Sequence, residues 1–215
     1  MLDPNSTYEY TYKTSESGHH HHYLLPPLLK LLNLAKQNRQ NSNQKLRVLD
    51  IGCGNGSLSN LIAKQGCEVV GVEDSASGVA AANKSFPDCK FIQASVYDLP
   101  YSELAGSFDV VISAEVIEHL LYPRELIKSA QKCLKLNGSL ILTTPYHGYI
   151  KNLVMSLAGK MDDHFTVLWD GGHIKFFSVN TLTTLLAEEK VTDLQFEFAG
   201  RVPYLWKSML VSATF

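Results

Sequence analysis

The sequence predicts an α/β domain in which a mostly parallel sheet carries helices on both faces and closes with an antiparallel hairpin. Three observations lead there. Short apolar runs alternate with helical patterns over residues 46–143, the rhythm of a parallel sheet whose crossovers are helices. Two strand-like runs near the C-terminus follow one another too closely for a crossover, so they must pair antiparallel. Of 215 residues, 45% are hydrophobic and 19% charged, enough apolar material for a buried core and too little charge for a disordered chain.

Taken in order, the chain opens with a polar segment, MLDPNSTYEYTYKT. A helix is expected over Tyr23–Lys36, where Leu24, Leu28, Leu31, Leu32 and Ala35 recur at helical spacing. Gln37–Lys45, almost wholly Gln, Asn, Ser and Arg, reads as a linker. Residues 1–45 therefore form an arm, a helix and a linker ahead of a domain at 46–215. Strands are expected at Leu46–Ile51, Glu68–Val72, Lys90–Gln93, Phe108–Ser113 and Ser139–Thr143, with helices at Ser57–Gln65, Ser75–Ser85 and Pro123–Leu136. Pro145–Gly172 breaks the rhythm, and so long an excursion in a compact domain points to a functional lid over residues 145–172. A helix at Val179–Glu189 and strands at Leu194–Ala199 and Trp206–Thr214, separated by a break at Pro203, complete the chain.

Composition excludes several function classes. Nineteen Lys+Arg against 21 Asp+Glu give a net charge of −2, which argues against a nucleic-acid partner, since phosphates select a basic surface. Cys53, Cys67, Cys89 and Cys133 include no Cys-x-x-Cys pair, so they read as small buried thiols in a reducing cytoplasm. No apolar run reaches the ~18–20 residues that span a bilayer, and the N-terminus lacks the layout of a signal peptide. Leu24–Leu34, interrupted by Pro26, Pro27, Lys30 and Asn33, is expected to pack on the sheet rather than lie on a membrane. The run His19–His22 leads straight into that amphipathic segment and reads as native sequence, with imidazoles that can line a site or bind metal adventitiously.

The most informative stretch is Val48-Leu49-Asp50-Ile51-Gly52-Cys53-Gly54-Asn55-Gly56-Ser57. A buried strand ends in a glycine-rich turn that opens a helix, which lets the backbone approach a cofactor closely. A dinucleotide fingerprint would need glycine where this chain has Ser57. Asp50 also places an anion where a pyrophosphate would be repelled. A cationic ligand suits it better, and S-adenosylmethionine carries both an ammonium and a sulfonium. Glu73 ends the second strand about 20 residues further on, where a carboxylate can accept both ribose hydroxyls.

On VLDIGCGNG, the acidic strand end GVE, the segment FDVVISAEVIEHL and the terminal hairpin, residues 46–215 resemble the class I S-adenosylmethionine-dependent methyltransferases. The resemblance implies a Rossmann-like, seven-stranded sheet with the last strand inserted antiparallel. It implies that Asp50, Gly52, Cys53 and Gly54 surround the methionine part of the cofactor, that Glu73 holds the ribose, and that Ala114 and Glu115 lie against the methionine moiety. FIQASVYDLP resembles the family's third-strand motif, whose aspartate near the adenine amino group is replaced here by Ser95, followed by Val96. A serine offers that amino group one hydrogen bond without charge. Asp98 is a second candidate, or else a turn residue before Pro100.

Glu115-Val116-Ile117-Glu118-His119 follows the fourth strand. On a helical turn Glu115 would face Glu118 and His119, and two carboxylates and an imidazole gathered so are costly unless a cation joins them. Two readings stand. In one, Glu115 touches the cofactor, Glu118 caps or pairs, and His119 packs beneath. In the other, Glu115, Glu118 and His119 hold a divalent metal such as Mg, with a further ligand from His173, or after it His164 or His147. The spacing resembles the Glu-x-x-Glu-His of ubiquinone-biosynthesis O-methyltransferases and of small-RNA 2′-O-methyltransferases, which implies metal-assisted methylation of a hydroxyl. Such an acceptor loses its proton as it attacks, so His119 or His173 is the catalytic base or else a ligand, not both.

Tyr146, Tyr149, Leu153, Met155, Leu157, Phe165 and Trp169 make the excursion apolar and aromatic, a lid suited to a small aromatic or lipid-like acceptor. Tyr8, Tyr10 and Tyr12 either cover the cleft or pack on the sheet edge. The expected function is O-methylation of a small molecule. The alternatives are an RNA 2′-O-methyltransferase, which the charge balance opposes, and a non-catalytic cofactor-binding module, which the departure at Ser95 suggests.

Overall fold

The computed structural model describes residues 9–18, 21–38, 44–165 and 167–215. Its strands are β1 (Arg47–Ile51), β2 (Glu68–Glu73), β3 (Lys90–Gln93), β4 (Phe108–Ala114), β5 (Leu134–Pro145), β6 (Thr192–Ala199) and β7 (Ser208–Thr214), in one seven-stranded sheet ordered β3-β2-β1-β4-β5-β7-β6. Pairing is parallel from β3 through β5. β7 inserts antiparallel between β5 and β6, the arrangement expected from the sequence. The helices are α1 (His21–Asn38), α2 (Ser57–Ala63), α3 (Ala76–Ser85), α4 (Tyr101–Leu104), α5 (Pro123–Cys133), α6 (Tyr149–Leu157), α7 (Met161–Phe165) and α8 (Val179–Glu188).

Successive side chains of a strand point to opposite faces, so a central strand with helices on both sides must be apolar throughout. β4 meets that demand over its centre, Val110–Ile112. Val110 and Ile112 join one core with Leu28 and Leu31 of α1, Leu58 and Ile62 of α2 and Ala82 of α3. Val111 joins the other, with Leu126, Ile127 and Ala130 of α5 and Leu182 and Leu186 of α8. α1 runs through Pro26 and Pro27, which removes two backbone donors. The helix persists because Leu24, Leu28, Leu31 and Leu32 are buried on β5, β6 and β7, the packing expected for this segment.

Some boundaries differ from expectation. α5 stops at Cys133 rather than Leu136, because Leu134 is already extended (φ −72°, ψ 144°) and begins β5 opposite Phe108. The register then slips between Phe108 and Val110, which pairs with Ser139, and Asn137 takes a positive φ of 60°. α4 is too short for periodicity to reveal. The excursion after β5 is built around α6 and α7. Tyr8, His19, His20 and residues 39–43 of the expected linker lie outside the described residues.

Strand order reverses between β1 and β4, and open α/β sheets bind ligands beyond the carboxyl ends of their strands at such a point. The Ser113 hydroxyl donates to the Ile51 carbonyl at 2.8 Å and ties those two strand ends together. All four cysteines are buried and free. Among the described residues no helix is long and apolar enough to cross a membrane.

Candidate active site

β1 delivers the glycine loop to the crevice. Gly52 and Cys53 donate their N–H groups to the Val72 carbonyl at 2.8 and 3.0 Å, which turns the chain sharply over β2. Gly52 has φ +77°, and a Cβ there would lie 2.4 Å from Val116 Cγ2, so both conformation and space demand glycine. Gly54 donates to Glu73 Oε2 at 2.8 Å, and Ser75 donates to Oε1 at 2.9 Å. These N–H groups hold the Glu73 carboxylate at the crevice edge and oppose the rise in its pKa that burial causes. Asp50 lies deeper. Its Oδ2 accepts from Ser59 at 2.6 Å, its Oδ1 has no partner among the described residues, and burial pushes its pKa up to about 6. An orphaned carboxylate oxygen under the loop, with Glu73 at its rim, fits a cationic nucleoside ligand. The Cys53 side chain is buried beside Gly71, so only its backbone belongs to the loop.

Ser95 and Val96 follow β3. Val96 is buried, and Ser95 accepts at its carbonyl from the Asp98 N–H at 3.0 Å. Asp98 is exposed in that turn. Ala114 ends β4 opposite Thr143, next to the loop.

The acidic cluster is built differently from the expected helical turn. Glu115 has φ 56°, and only Ile117–His119 form a single 3₁₀ turn. The left-handed residue swings Glu115 toward β5 and β7, where the Thr143 hydroxyl donates to Oε1 at 2.8 Å and the Ser208 hydroxyl reaches Oε2 at 3.4 Å. Burial pushes the Glu115 pKa up to about 7. Glu118 is fully buried. Its Oε2 accepts from Thr144 at 3.0 Å, while Oε1 has no hydrogen-bond partner among the described residues and lies 4.0 Å from His173 Nε2. Burial, and after it the Glu115 charge, hold the Glu118 carboxyl well above the usual range.

Two residues just after the excursion close on this turn: Ile174 and Lys175 both donate to the Glu118 carbonyl at 2.9 Å. That brings His173 to His119, with ring centroids 4.8 Å apart. His119 Nδ1 lies 2.9 Å from the Gly171 carbonyl and 3.2 Å from that of Gly172. Carbonyls only accept, so Nδ1 carries the proton and Nε2 keeps its lone pair. Burial lowers the pKa of His119, and that of His173 to about 4, so both rings are neutral and able to ligate. Glu118, His119 and His173 offer ligand atoms all within 4.8 Å of one another. Glu115 is not in that group, and His147 and His164 pair with each other instead, at 4.8 Å. Two imidazoles and a carboxylate suit Mn, Co or Zn better than Mg, which prefers oxygen ligands.

The described part of the N-terminal arm lies over the crevice. Tyr12 rests on Gly54, where a Cβ would lie 2.9 Å from its hydroxyl, and the Tyr12 N–H donates to Ser77 Oγ at 3.0 Å. Asn55 donates to the carbonyls of Thr14 and Glu16, each at 2.9 Å. The Tyr10 hydroxyl donates to the Gly171 carbonyl and sits 2.9 Å from His119 Nδ1. Trp169 stands edge-on to His119 and His173, at 5.9 and 5.8 Å. Of the other aromatic and apolar residues of the excursion, Tyr146 is buried against Phe198 and Trp206, and Tyr149 and Leu157 are exposed. Sequence reasoning missed Thr143, Thr144 and Ser208, which hold the carboxylates. Their signal was a pair of threonines at the end of an otherwise apolar strand.

A family described as a methyltransferase domain matches residues 18–190. The ubiquinone biosynthesis O-methyltransferase of Bradyrhizobium diazoefficiens is 30% identical over 154 residues, 68% of this chain and 58% of that protein. The protein of the same name from a Ruegeria species is 31% identical over 175 residues, 75% of this chain and 66% of that protein. The chain thus covers less than two thirds of the length of these curated relatives. The crystal structure of a SAM dependent methyltransferase from Archaeoglobus fulgidus superposes with a TM-score of 0.65 at 17% identity, covering 91% of this chain and 97% of that one.

Proposed function

The chain belongs to the class I S-adenosylmethionine-dependent methyltransferases, and from that premise we propose that it methylates a hydroxyl of a small aromatic acceptor with a divalent cation held by Glu118, His119 and His173. The observation that carries this reading is the convergence of those three donor groups beside the glycine loop, with one Glu118 oxygen buried and, among the described residues, unpartnered. The name O-methyltransferase borne by relatives at 30% and 31% identity supports a hydroxyl as the acceptor.

Bound S-adenosylmethionine would supply a methyl group already activated by its sulfonium, and a divalent cation would lower the pKa of the acceptor hydroxyl. The protein's own tasks are alignment and exclusion of water. Glu73 is positioned to accept from the ribose hydroxyls, and Asp50 supplies negative charge beneath the loop. Tyr10 and the Gly171 and Gly172 carbonyls fix the His119 ring so that Nε2 stays available. Tyr12 and Trp169 shield the cofactor side and the metal side respectively. Four free cysteines fit a cytoplasmic site of action.

The test is methyl transfer from labelled S-adenosylmethionine to a panel of catechols, before and after chelation. The expected result is chelator-sensitive transfer to oxygen, restored by Mn or Zn and abolished in Glu118→Ala. Transfer indifferent to both the chelator and Glu118→Ala removes the metal from the proposal. Absence of saturable cofactor binding in calorimetry removes the activity itself.

A further inference from the structure

Tyr10 touches both sides of the crevice, its main chain on one and its side chain on the other. The turn between β2 and α3 holds the main chain. The Ser75 hydroxyl donates to the Tyr10 carbonyl, the Ala76 N–H donates to Glu9 Oε1 at 2.9 Å, and the Tyr12 N–H donates to Ser77 Oγ at 3.0 Å. The same Ser75 donates its N–H to Glu73 Oε1 at 2.9 Å. Tyr12 fills the slot beside this turn: a Cβ on Gly78 would lie 3.0 Å from its ring, as one on Gly54 would lie 2.9 Å from its hydroxyl. The arm is thus fixed by the loops that flank Glu73, the carboxylate assigned above to the ribose.

The Tyr10 side chain crosses to the metal side. Its ring stands edge-on to His119 at 5.5 Å and to Trp169 at 6.2 Å. Its hydroxyl gives its one proton to the Gly171 carbonyl, so it turns a lone pair toward His119 Nδ1 at 2.9 Å. That lone pair meets the same Nδ1–H that the Gly171 and Gly172 carbonyls meet, and it favours the tautomer whose Nε2 can ligate. A path of hydrogen bonds therefore runs from Glu73 through Ser75 and Tyr10 to His119.

Pinning the arm at both ends costs conformational freedom. The first ligand to bind orders the loop it touches and meets part of that cost, and the second then finds the arm in place. We infer that Tyr10 is a positioning residue that couples the two sites, so that cofactor and divalent cation each raise the other's affinity. The inference rests on the methyltransferase and metal readings for its two ligands and adds the link between them. One hydroxyl joins sides that otherwise close on different residues, so the coupling belongs in the lower part of the usual range, roughly 5- to 30-fold.

Calorimetry on the full chain tests it with S-adenosylhomocysteine and Mn(II), each titrated alone and in the presence of the other. In wild type each tightens the other by the same factor, as linkage requires. Tyr10→Phe, which keeps the ring and removes the hydroxyl, brings that factor to one. Glu118→Ala abolishes the effect of Mn(II) on S-adenosylhomocysteine, which excludes cation held by His19–His22 as its source. Without any metal, S-adenosylhomocysteine shifts the ring-nitrogen NMR signals of His119 toward the Nδ1–H tautomer in wild type and leaves them unmoved in Tyr10→Phe. Independent affinities in wild type, or coupling that survives Tyr10→Phe or Glu118→Ala, overturns the inference while both readings stand. Failure of either ligand to bind alone is a different result: it removes the methyltransferase or the metal reading, and the coupling with it.

Discussion

Asp50 and Thr144 each act through one oxygen, and each yields a measurable consequence. Burial raises the Asp50 pKa from an ordinary 3.8 to about 6 in the folded chain. The folded state therefore holds its proton more firmly than the unfolded state does. The stability this confers is complete below the unfolded pKa and is lost as pH rises through the folded value, between about pH 4 and 6. A shift of this size is worth roughly 3 kcal/mol. Asp50→Asn, which keeps an acceptor for Ser59, should remove that decline when denaturant unfolding of the ligand-free protein is followed from pH 4 to 7. Parallel curves for the two proteins would show that Asp50 is ionised at no such cost. Thr144 donates to Glu118 Oε2 at 3.0 Å and orients it. Loss of such an outer partner costs about 10- to 100-fold in metal affinity. Thr144→Val should show that loss in competition with a chromogenic chelator, and an unchanged affinity would mean Glu118 needs no such support.

At the scale of elements, the alternation of strands and helices was legible because each crossover buries its own apolar stripe, a local pattern. The turn after β4 was not. A spacing of three and four suggests a helix, but the left-handed Glu115 and the hydroxyls of β5 and β7 take its side chain elsewhere. Those partners lie far along the chain, and spacing carries no record of them. The arm was half legible: its tyrosines marked it as able to cover something, and backbone contacts decide what. Asn55 holds it through the carbonyls of Thr14 and Glu16. Two such bonds contribute about 1–3 kcal/mol in all. Asn55→Ala should speed S-adenosylhomocysteine dissociation by roughly 5- to 150-fold, measured by stopped-flow displacement. An unchanged rate would mean that the arm does not cover the bound cofactor.

Across the whole molecule, the crevice is made of two halves assembled in different ways. The half proposed to hold the cofactor comes from consecutive strand ends, β1 and β2, whose loops are written in adjacent residues, so the meeting of Gly54 and Glu73 at one edge of the crevice was legible in the sequence. The other half, proposed to face the acceptor, requires residues 171–175 to close on Glu118 and His119 across more than fifty positions, joined by the paired N–H groups of Ile174 and Lys175. Its stability must then depend on whatever occupies the cluster. A cation that binds only the folded state at 100 times its Kd adds about 2.7 kcal/mol. For a domain of this size that is a rise of roughly 5–11 °C in Tm. The measurement belongs in a variant whose His19–His22 are serines, so that adventitious binding to the histidine run contributes nothing. Mn or Zn should raise Tm there and slow amide exchange chiefly at residues 171–175, whereas S-adenosylhomocysteine should slow exchange chiefly at the glycine loop and arm. A Tm rise that survives Glu118→Ala together with His173→Ala would assign the cation to another site. Identical exchange footprints for the two ligands would mean that the halves close as one unit rather than separately.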